Sequence, residues 1–183
     1  MSLFVVDVEA DGPCPGESYG PLPGDYSMLS FASVRVDKGL SCSFVSNPIK
    51  PISGRYRGDA IASIGLTPQT RHSIYVEKGN DPKETMASFE SWVLTMSVGR
   101  PIFISDNNGF DWMFICYYFH HFLGRNPFGF SSRRLGDLYC GLMKDMRAQW
   151  KHLRKTKHTH DPLMDAKGNA EVILYMMDKM GLK

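Results

Sequence analysis

A run of apolar residues near the start of the chain, ending in two carboxylates, constrains the fold more than any other feature. Residues 3–8 are almost continuously apolar and β-branched, as in a central strand that is covered on both faces. Side chains alternate between the faces of a strand, so Asp7 and Glu9 emerge on the same side. Two like charges this close repel unless a cation lies between them. The segment therefore predicts either a divalent cation at the end of a buried strand or a solvated strand end.

The rest of the chain predicts a mixed sheet covered by helices. Strands are expected at 26–36 and 40–45, joined by a turn at 37–39, and again at 101–105, with a short extended piece at 134–135. Residues 47–70 predict irregular structure around a short helix at 59–64. Apolar spacing predicts helices at 83–97, 110–123, 138–150 and 161–180. This order is typical of an α/β fold, and we expect one domain over residues 1–183.

Charge and cysteine usage narrow the class of protein. The formal net charge of +2 excludes a polycation that coats DNA, so an anionic partner must be bound by a local feature. The four cysteines form no Cys-x-x-Cys pair and predict reduced thiols. We find no leader pattern and no apolar run near the roughly 20 residues that span a bilayer. We therefore expect a cytoplasmic protein without membrane contact.

Two further acids and a histidine lie on or beside apolar helices. Asp111 falls in the first turn of one predicted helix and Asp165 inside the last one. Their alternatives are a favourable helix N-terminal charge and an exposed helix position. Oxygen ligands without cysteine or clustered histidine favour Mg²⁺ or Mn²⁺ over zinc. His160, five residues before Asp165, suits a general base, since imidazole accepts a proton near neutral pH; the alternative is a solvated side chain.

These residues resemble a known family. The segments Asp7-Val8-Glu9, 107–114 and 160–166 follow the order and approximate separations of the three motifs of the DEDDh family, the DnaQ-like 3'-5' exonucleases. The sister subgroup has tyrosine four residues before its last aspartate, and this chain has His160 five residues before Asp165. The resemblance implies a ribonuclease H-like fold with a mixed five-stranded sheet flanked by helices. It also implies metal-dependent release of nucleoside 5'-monophosphates from the 3' end of single-stranded nucleic acid.

The resemblance assigns roles to individual residues. Asp7 would bridge two metal ions, Mg²⁺ or Mn²⁺. Glu9 and Asp165 would hold the ion that carries the attacking water, and Asp111 would support the second ion. His160 would deprotonate that water and lie beside the substrate. The other residues expected beside the terminal nucleotide are Ala10, Asp11, Asn107 and Phe110.

Two departures from the family pattern affect the expected pocket. Asp106 precedes Asn107 where many relatives have histidine, and the loop at 12–24 is long and rich in proline. Either would reshape the pocket for the terminal nucleotide. The compact chain resembles the small exoribonucleases of the family, which favours RNA over DNA and makes a homodimer a further expectation.

A basic tract at 144–158 leads directly into His160. Cations beside a phosphodiesterase site would follow a nucleic-acid backbone electrostatically, whereas the alternative is a solvated charged face. Trp150 in this tract would either stack on a base or belong to the core.

Two other function classes remain. His160-Asp161 is the dipeptide of the all-helical HD phosphohydrolases, although the first half of this chain is rich in strands. A catalytically inactive module on the same fold would bind nucleic acid or protein. Such a module would not need Asp7, Glu9, Asp111, His160 and Asp165 together.

Overall fold

A five-stranded mixed sheet forms the centre of the computed structural model, which describes residues 1–16 and 26–182. The strand order is β3-β2-β1-β4-β5, in which β2 is antiparallel to both of its neighbours while β1, β4 and β5 run parallel. This arrangement confirms the predicted α/β fold with a mixed five-stranded sheet. The strands are β1 (Ser2–Ala10), β2 (Met28–Arg35), β3 (Ser43–Val45), β4 (Pro101–Ser105) and β5 (Ser132–Arg134).

The apolar run at the start of the chain forms β1, the middle strand of the sheet. Its Val5 pairs with Val34 on one side and with Ile104 on the other. Because both edges and both faces of β1 are covered, its apolar side chains are buried, as the sequence predicted. The register shifts between Glu9 and Ala10, so the regular pairing ends where the carboxylates emerge.

Helices cover both faces of the sheet. Two of them begin at an Asp-Pro pair, where the aspartate caps the helix: Asp81 accepts hydrogen bonds from the backbone of Lys83 and Glu84, and Asp161 caps the last helix in the same way. A π-helical turn over His72–Val76 follows the second helix. The helices are α1 (Gly58–Ser63), α2 (Pro68–Arg71), α3 (Pro82–Met96), α4 (Asn108–Leu123), α5 (Leu135–Met143) and α6 (Pro162–Lys179).

The alternation of β1 side chains divides the core into two layers. Phe4, Val6 and Val8 pack into an aromatic-rich layer beneath α3 and α4. Val5 points the other way, into the layer that α5 and α6 cover. Asp7 and Glu9 share the face of Val5, because they follow it at intervals of two. The strand therefore presents both carboxylates on the side of the sheet where α6 packs.

Several predicted boundaries were wrong. The helix expected at 138–150 begins at Leu135 and ends at Met143, since Lys144 adopts a left-handed backbone with φ of 53° that terminates it. The expected third strand is shortened to Ser43–Val45. The segment expected to be irregular at 47–70 also contains the start of α2. Residues 17–24 of the proline-rich loop lie outside the described residues.

Chain-wide expectations were tested less fully. Within residues 1–16 and 26–182, every helix is too short or too polar to cross a membrane. The four cysteines are free thiols, as predicted. The assignment of residues 1–183 to one exonuclease domain stays a prediction.

Candidate active site

Three carboxylates from two elements converge at the end of β1. Asp7 and Glu9 come from the strand, and Asp165 comes from the first turn of α6, which packs across it. Each offers an oxygen atom, and these three atoms lie within 4.8 Å of one another. Asp165 is buried, whereas Asp7 is partly exposed. The group is a set of hard oxygen ligands that opens to solvent on one side, as Mg²⁺ and Mn²⁺ sites do.

The fourth predicted acid, Asp111, lies beside this group but outside it. It is buried in the first turn of α4, and its Oδ1 accepts a hydrogen bond of 3.1 Å from the backbone nitrogen of Val8. Val8 lies between the two strand carboxylates, so this bond fixes Asp111 against β1 at the metal-binding end. The structure thus brings all four predicted acids to one end of the sheet.

The four acids perturb one another strongly. Burial raises the pKa of Asp7 well above its ordinary value, and the negative charges of its neighbours raise it further. Burial, followed by repulsion from Asp165 and Asp111, raises the pKa of Glu9 to about 8. Burial also raises the pKa of Asp111 to about 7. A divalent cation would remove this repulsion, so the donor set fits a metal site.

Asp165 is held on several sides. Its two carboxylate oxygens accept hydrogen bonds from the backbone nitrogens of Thr159, at 3.1 Å, and His160, at 2.9 Å. Arg154 Nη2 donates to the Asp165 carbonyl oxygen at 2.8 Å and lies 3.6 Å from its Oδ1. His158 Nδ1 lies 3.6 Å from Oδ2. The segment that precedes α6 therefore fixes the orientation of this carboxylate.

His160 projects over the same carboxylates. Its backbone is left-handed, with φ of 58°, which non-glycine residues adopt rarely and mostly at functional or tightly held positions. Its Nδ1 lies 4.0 Å from Glu9 Oε1, and its side chain is 49% exposed. The ring packs edge-on against His158, with centroids 4.5 Å apart. The imidazole thus has access both to the carboxylates and to solvent.

A cleft of about 510 Å³ opens above the carboxylates. Ala10, Asn107 and Phe110 line it, as expected for residues beside a terminal nucleotide. Asn107 is exposed, and its side chain does not cap α4, so its amide faces the cleft without a capping partner. The opposite wall comes from the region around α1, which sequence reasoning missed because residues 47–70 show no clear periodicity. That wall consists of Arg57, Asp59, Ala60, Ser63 and Ile64.

Comparison with known proteins supports the family. No family model matches the chain. It is 33% identical over 182 residues to the 3'-5' DNA exonuclease Cap18 of Escherichia coli, which covers 91% of this chain and 90% of that protein. The nuclease domain of 3'hExo, a DEDDh family member solved with rAMP, superposes with a TM-score of 0.70 at 14% identity, over 97% of this chain and 92% of that one. The chain belongs to the DEDDh family of 3'-5' exonucleases.

A second structural neighbour of the exonuclease is E. coli ExoI, solved with single-stranded DNA and zinc. It superposes with a TM-score of 0.63 at 20% identity over 98% of this chain, which spans only 40% of the ExoI chain. These two structures confirm the ribonuclease H-like fold. The family and the carboxylate cluster together indicate that the exonuclease uses divalent metal ions.

Asp11 is the predicted substrate-binding residue that the structure does not bring to the cleft. It is fully buried, where its carboxylate accepts hydrogen bonds from the Ser27 backbone at 2.6 Å and from Arg71 Nε at 3.0 Å. Its carbonyl oxygen accepts a hydrogen bond of 2.8 Å from the backbone of Arg57, at the start of the cleft wall. Asp11 therefore braces the wall of the exonuclease cleft from behind.

Arg154 and Trp150 belong to the interior of the exonuclease. Trp150 is buried in the layer beneath α6, so the predicted stacking of this residue on a base is wrong. The Arg154 guanidinium lies 5.8 Å from the centre of its ring. Arg154 reaches Asp165 past Gly168, where an added Cβ would lie 2.8 Å from its Nε. No sequence signal reveals this residue, since its contacts arise only in the tertiary fold.

Asp161 is a structural cap in the exonuclease. Its Oδ1 accepts hydrogen bonds of 3.0 Å from the backbone nitrogens of Leu163 and Met164. The side chain is thereby committed to the start of α6. Together with the five-stranded sheet, this assignment excludes the all-helical HD phosphohydrolase alternative.

Proposed function

We propose that the exonuclease removes nucleotides from the 3' end of single-stranded DNA by a two-metal mechanism and releases nucleoside 5'-monophosphates. The convergence of Asp7, Glu9 and Asp165 beneath an open cleft, with His160 at its edge, carries this proposal. DNA is favoured because the sequence relative that covers nearly the whole chain is named a DNA exonuclease. The preference for RNA expected from the sequence is the competing prediction.

The carboxylates divide naturally between two ions. Glu9, Asp165 and one oxygen of Asp7 would hold the first ion, and Asp7 with Asp111 would hold the second. Mg²⁺ or Mn²⁺ fits this set, because every donor is a carboxylate oxygen. Bound divalent ions lower the pKa of the attacking water and stabilise charge on the entering and leaving oxygens.

His160 is proposed as the general base. Its imidazole faces the Glu9 side of the cluster and takes one proton from the attacking water, whose oxygen then bonds to the terminal phosphorus. The bond between phosphorus and the 3' oxygen of the preceding nucleotide breaks. That oxygen gains a proton from solvent, so the shortened strand ends in a 3'-hydroxyl. The exposed His160 ring returns its own proton to solvent before the next cycle.

The cleft wall supplies the contacts that select a 3' end. Asn107 presents an uncapped amide, which donates a hydrogen bond to the terminal 3'-hydroxyl. Phe110 is half-buried in the wall and offers its ring to the terminal nucleoside. Ala10 has no side chain beyond Cβ, so the nucleotide can lie close to the backbone at the end of β1. A strand with a blocked 3' end would lose the Asn107 bond.

Paired substrates test this proposal. Single-stranded DNA and RNA of one sequence, each with a free or a 3'-phosphorylated end, are incubated with Mn²⁺, and the mononucleotides are identified by chromatography. We expect 5'-monophosphates, faster turnover of DNA than of RNA, and slow turnover of the blocked strands. Asp7→Asn is the inactive control. Faster turnover of RNA would reverse the substrate assignment, and cleavage inside the blocked strands would refute the exonuclease mechanism.

A further inference from the structure

A second cavity, outside the carboxylate site, lies along the segment between α5 and α6. Its volume is about 550 Å³. It is called the cationic groove below, because three of its five lining residues are lysine or arginine and no carboxylate lines it. The lining residues are Lys151, Arg154, Thr156, Lys157 and His158.

The cationic groove is continuous with the active-site cleft. His158 lines both cavities, and its Nδ1 lies 3.6 Å from the metal-site carboxylate of Asp165. A second junction lies at Lys151, whose Nζ is 3.6 Å from Oδ2 of Asp106, a residue of the cleft wall. A polymer that enters the cleft can therefore continue into the groove without leaving the protein surface.

The three cations of the groove differ in their availability. Arg154 has only 7% of its side chain exposed and is committed to Asp165 and Trp150. Lys151 is exposed but paired with Asp106. Lys157 is exposed, and its side chain has no hydrogen bond or ion pair with any of the described residues. The charge that a ligand would meet first is therefore that of Lys157.

We propose that the cationic groove binds backbone phosphates of the strand on the 5' side of the nucleotide being removed. This inference rests on the proposed function, since it takes the 3' end to lie in the cleft. Each nucleotide of the emerging strand carries a negative charge, and the groove is the cationic surface that adjoins the cleft. Trp150 is buried, so no tryptophan, tyrosine or phenylalanine lines the groove to stack on bases. Binding there is therefore independent of sequence and sensitive to salt.

The first test measures binding without turnover. The affinity of a 5'-fluorescent single-stranded DNA is followed by anisotropy in EDTA at several salt concentrations. Lys157→Ala should raise Kd several-fold at low salt and reduce the slope of log Kd against log salt by about one, as expected for one lost phosphate contact. Lys157→Glu should raise Kd further.

Lys38→Ala is the matched control. Lys38 is an exposed lysine in the turn after β2. That turn follows Arg35, which pairs with Phe4 near the start of β1, so it lies at the end of the sheet opposite the carboxylates. The control should leave both Kd and the salt slope unchanged. Equal slopes for the unmodified protein and Lys157→Ala would overturn the proposal.

The second test separates the strand from the released nucleotide, whose phosphate has the same chemistry. A nitrophenyl ester of thymidine 5'-monophosphate occupies only the cleft. Lys157→Ala should raise KM for a long DNA strand by a larger factor than KM for the ester. An equal rise for both substrates, or weakened inhibition by thymidine 5'-monophosphate alone, would overturn the strand assignment. If the unmodified protein bound DNA through Lys157 but hydrolysed neither substrate, the proposed function would fail while the groove remained.

Discussion

Removing the charge of Glu9 should stabilise the exonuclease when metal is absent. Burial and the charges of Asp165 and Asp111 raise the pKa of Glu9 from 4.5 to about 8 in the folded protein. In the unfolded chain the carboxyl group returns to its ordinary value. The folded state therefore binds more protons than the unfolded state between these two values. The free energy of unfolding falls as pH rises through that window, and Glu9→Gln should abolish this part of the fall.

The structure gives the size of the effect. At pH 7 the difference between pH and the ordinary pKa, at about 1.36 kcal/mol per unit, gives an upper bound of about 3.4 kcal/mol. Water reaches the site through the open cleft, so we take roughly half of this bound, on the order of 2 kcal/mol. For a chain of this length, that gain corresponds to a rise in Tm of roughly 4–8 °C.

Thermal unfolding in EDTA at pH 5, 7 and 8 measures this effect. The Tm of the unmodified protein should fall over this range, and that of Glu9→Gln should fall less. Glu171→Gln is the matched control of opposite sign: although burial opposes it, hydrogen bonds from Thr156 and Lys155 hold the pKa of Glu171 below its ordinary value, so the control should melt lower. A Glu9→Gln variant that melts at or below the unmodified protein at pH 8 would refute the charge-repulsion argument.

Three further predictions concern single residues. His160→Ala should lower kcat by roughly 10²–10⁴-fold while Mn²⁺ affinity, measured calorimetrically, changes little; a large loss of Mn²⁺ binding would contradict the role of base. Gly168→Ala should lower stability by about 1–3 kcal/mol in denaturant unfolding, because its Cβ would meet Arg154 Nε at 2.8 Å; an unchanged midpoint would show that Arg154 can move aside. Arg71→Met should cost about 3–5 kcal/mol by leaving the buried Asp11 unpaired, and Arg71→Met with Asp11→Asn should recover part of this loss; no recovery would refute the ion-pair account.

Local patterns predicted the parts of the fold that local geometry determines. The alternation of side chains along β1 placed Asp7 and Glu9 on one face before any tertiary contact was known. The apolar run also identified the middle strand, because only a strand covered on both faces needs such a composition. Asp111 and Asp165 were found from their helices and their order in the chain, and the structure brings them to the same end of the sheet.

Tertiary contacts decide what the sequence did not reveal. The end of α5 depends on a left-handed backbone at Lys144, a conformation that lysine does not advertise. The burial of Asp11 depends on Arg71, sixty positions away in the chain. The cleft wall around α1 has no periodic apolar pattern, since its residues face the cleft. Such long-range pairings leave no local trace in a single sequence.

The most direct test of the central claim is a time course with 5'-labelled single-stranded DNA in Mg²⁺, in Mn²⁺ and in EDTA. We predict a ladder that shortens from the 3' end, depends on metal, and is absent for Asp7→Asn and Asp165→Asn variants that remain folded by circular dichroism. DNA that is bound but never shortened in either metal would contradict the account and would indicate a non-catalytic module. Shortening that persists in Asp7→Asn would show that the carboxylate cluster is not the active site.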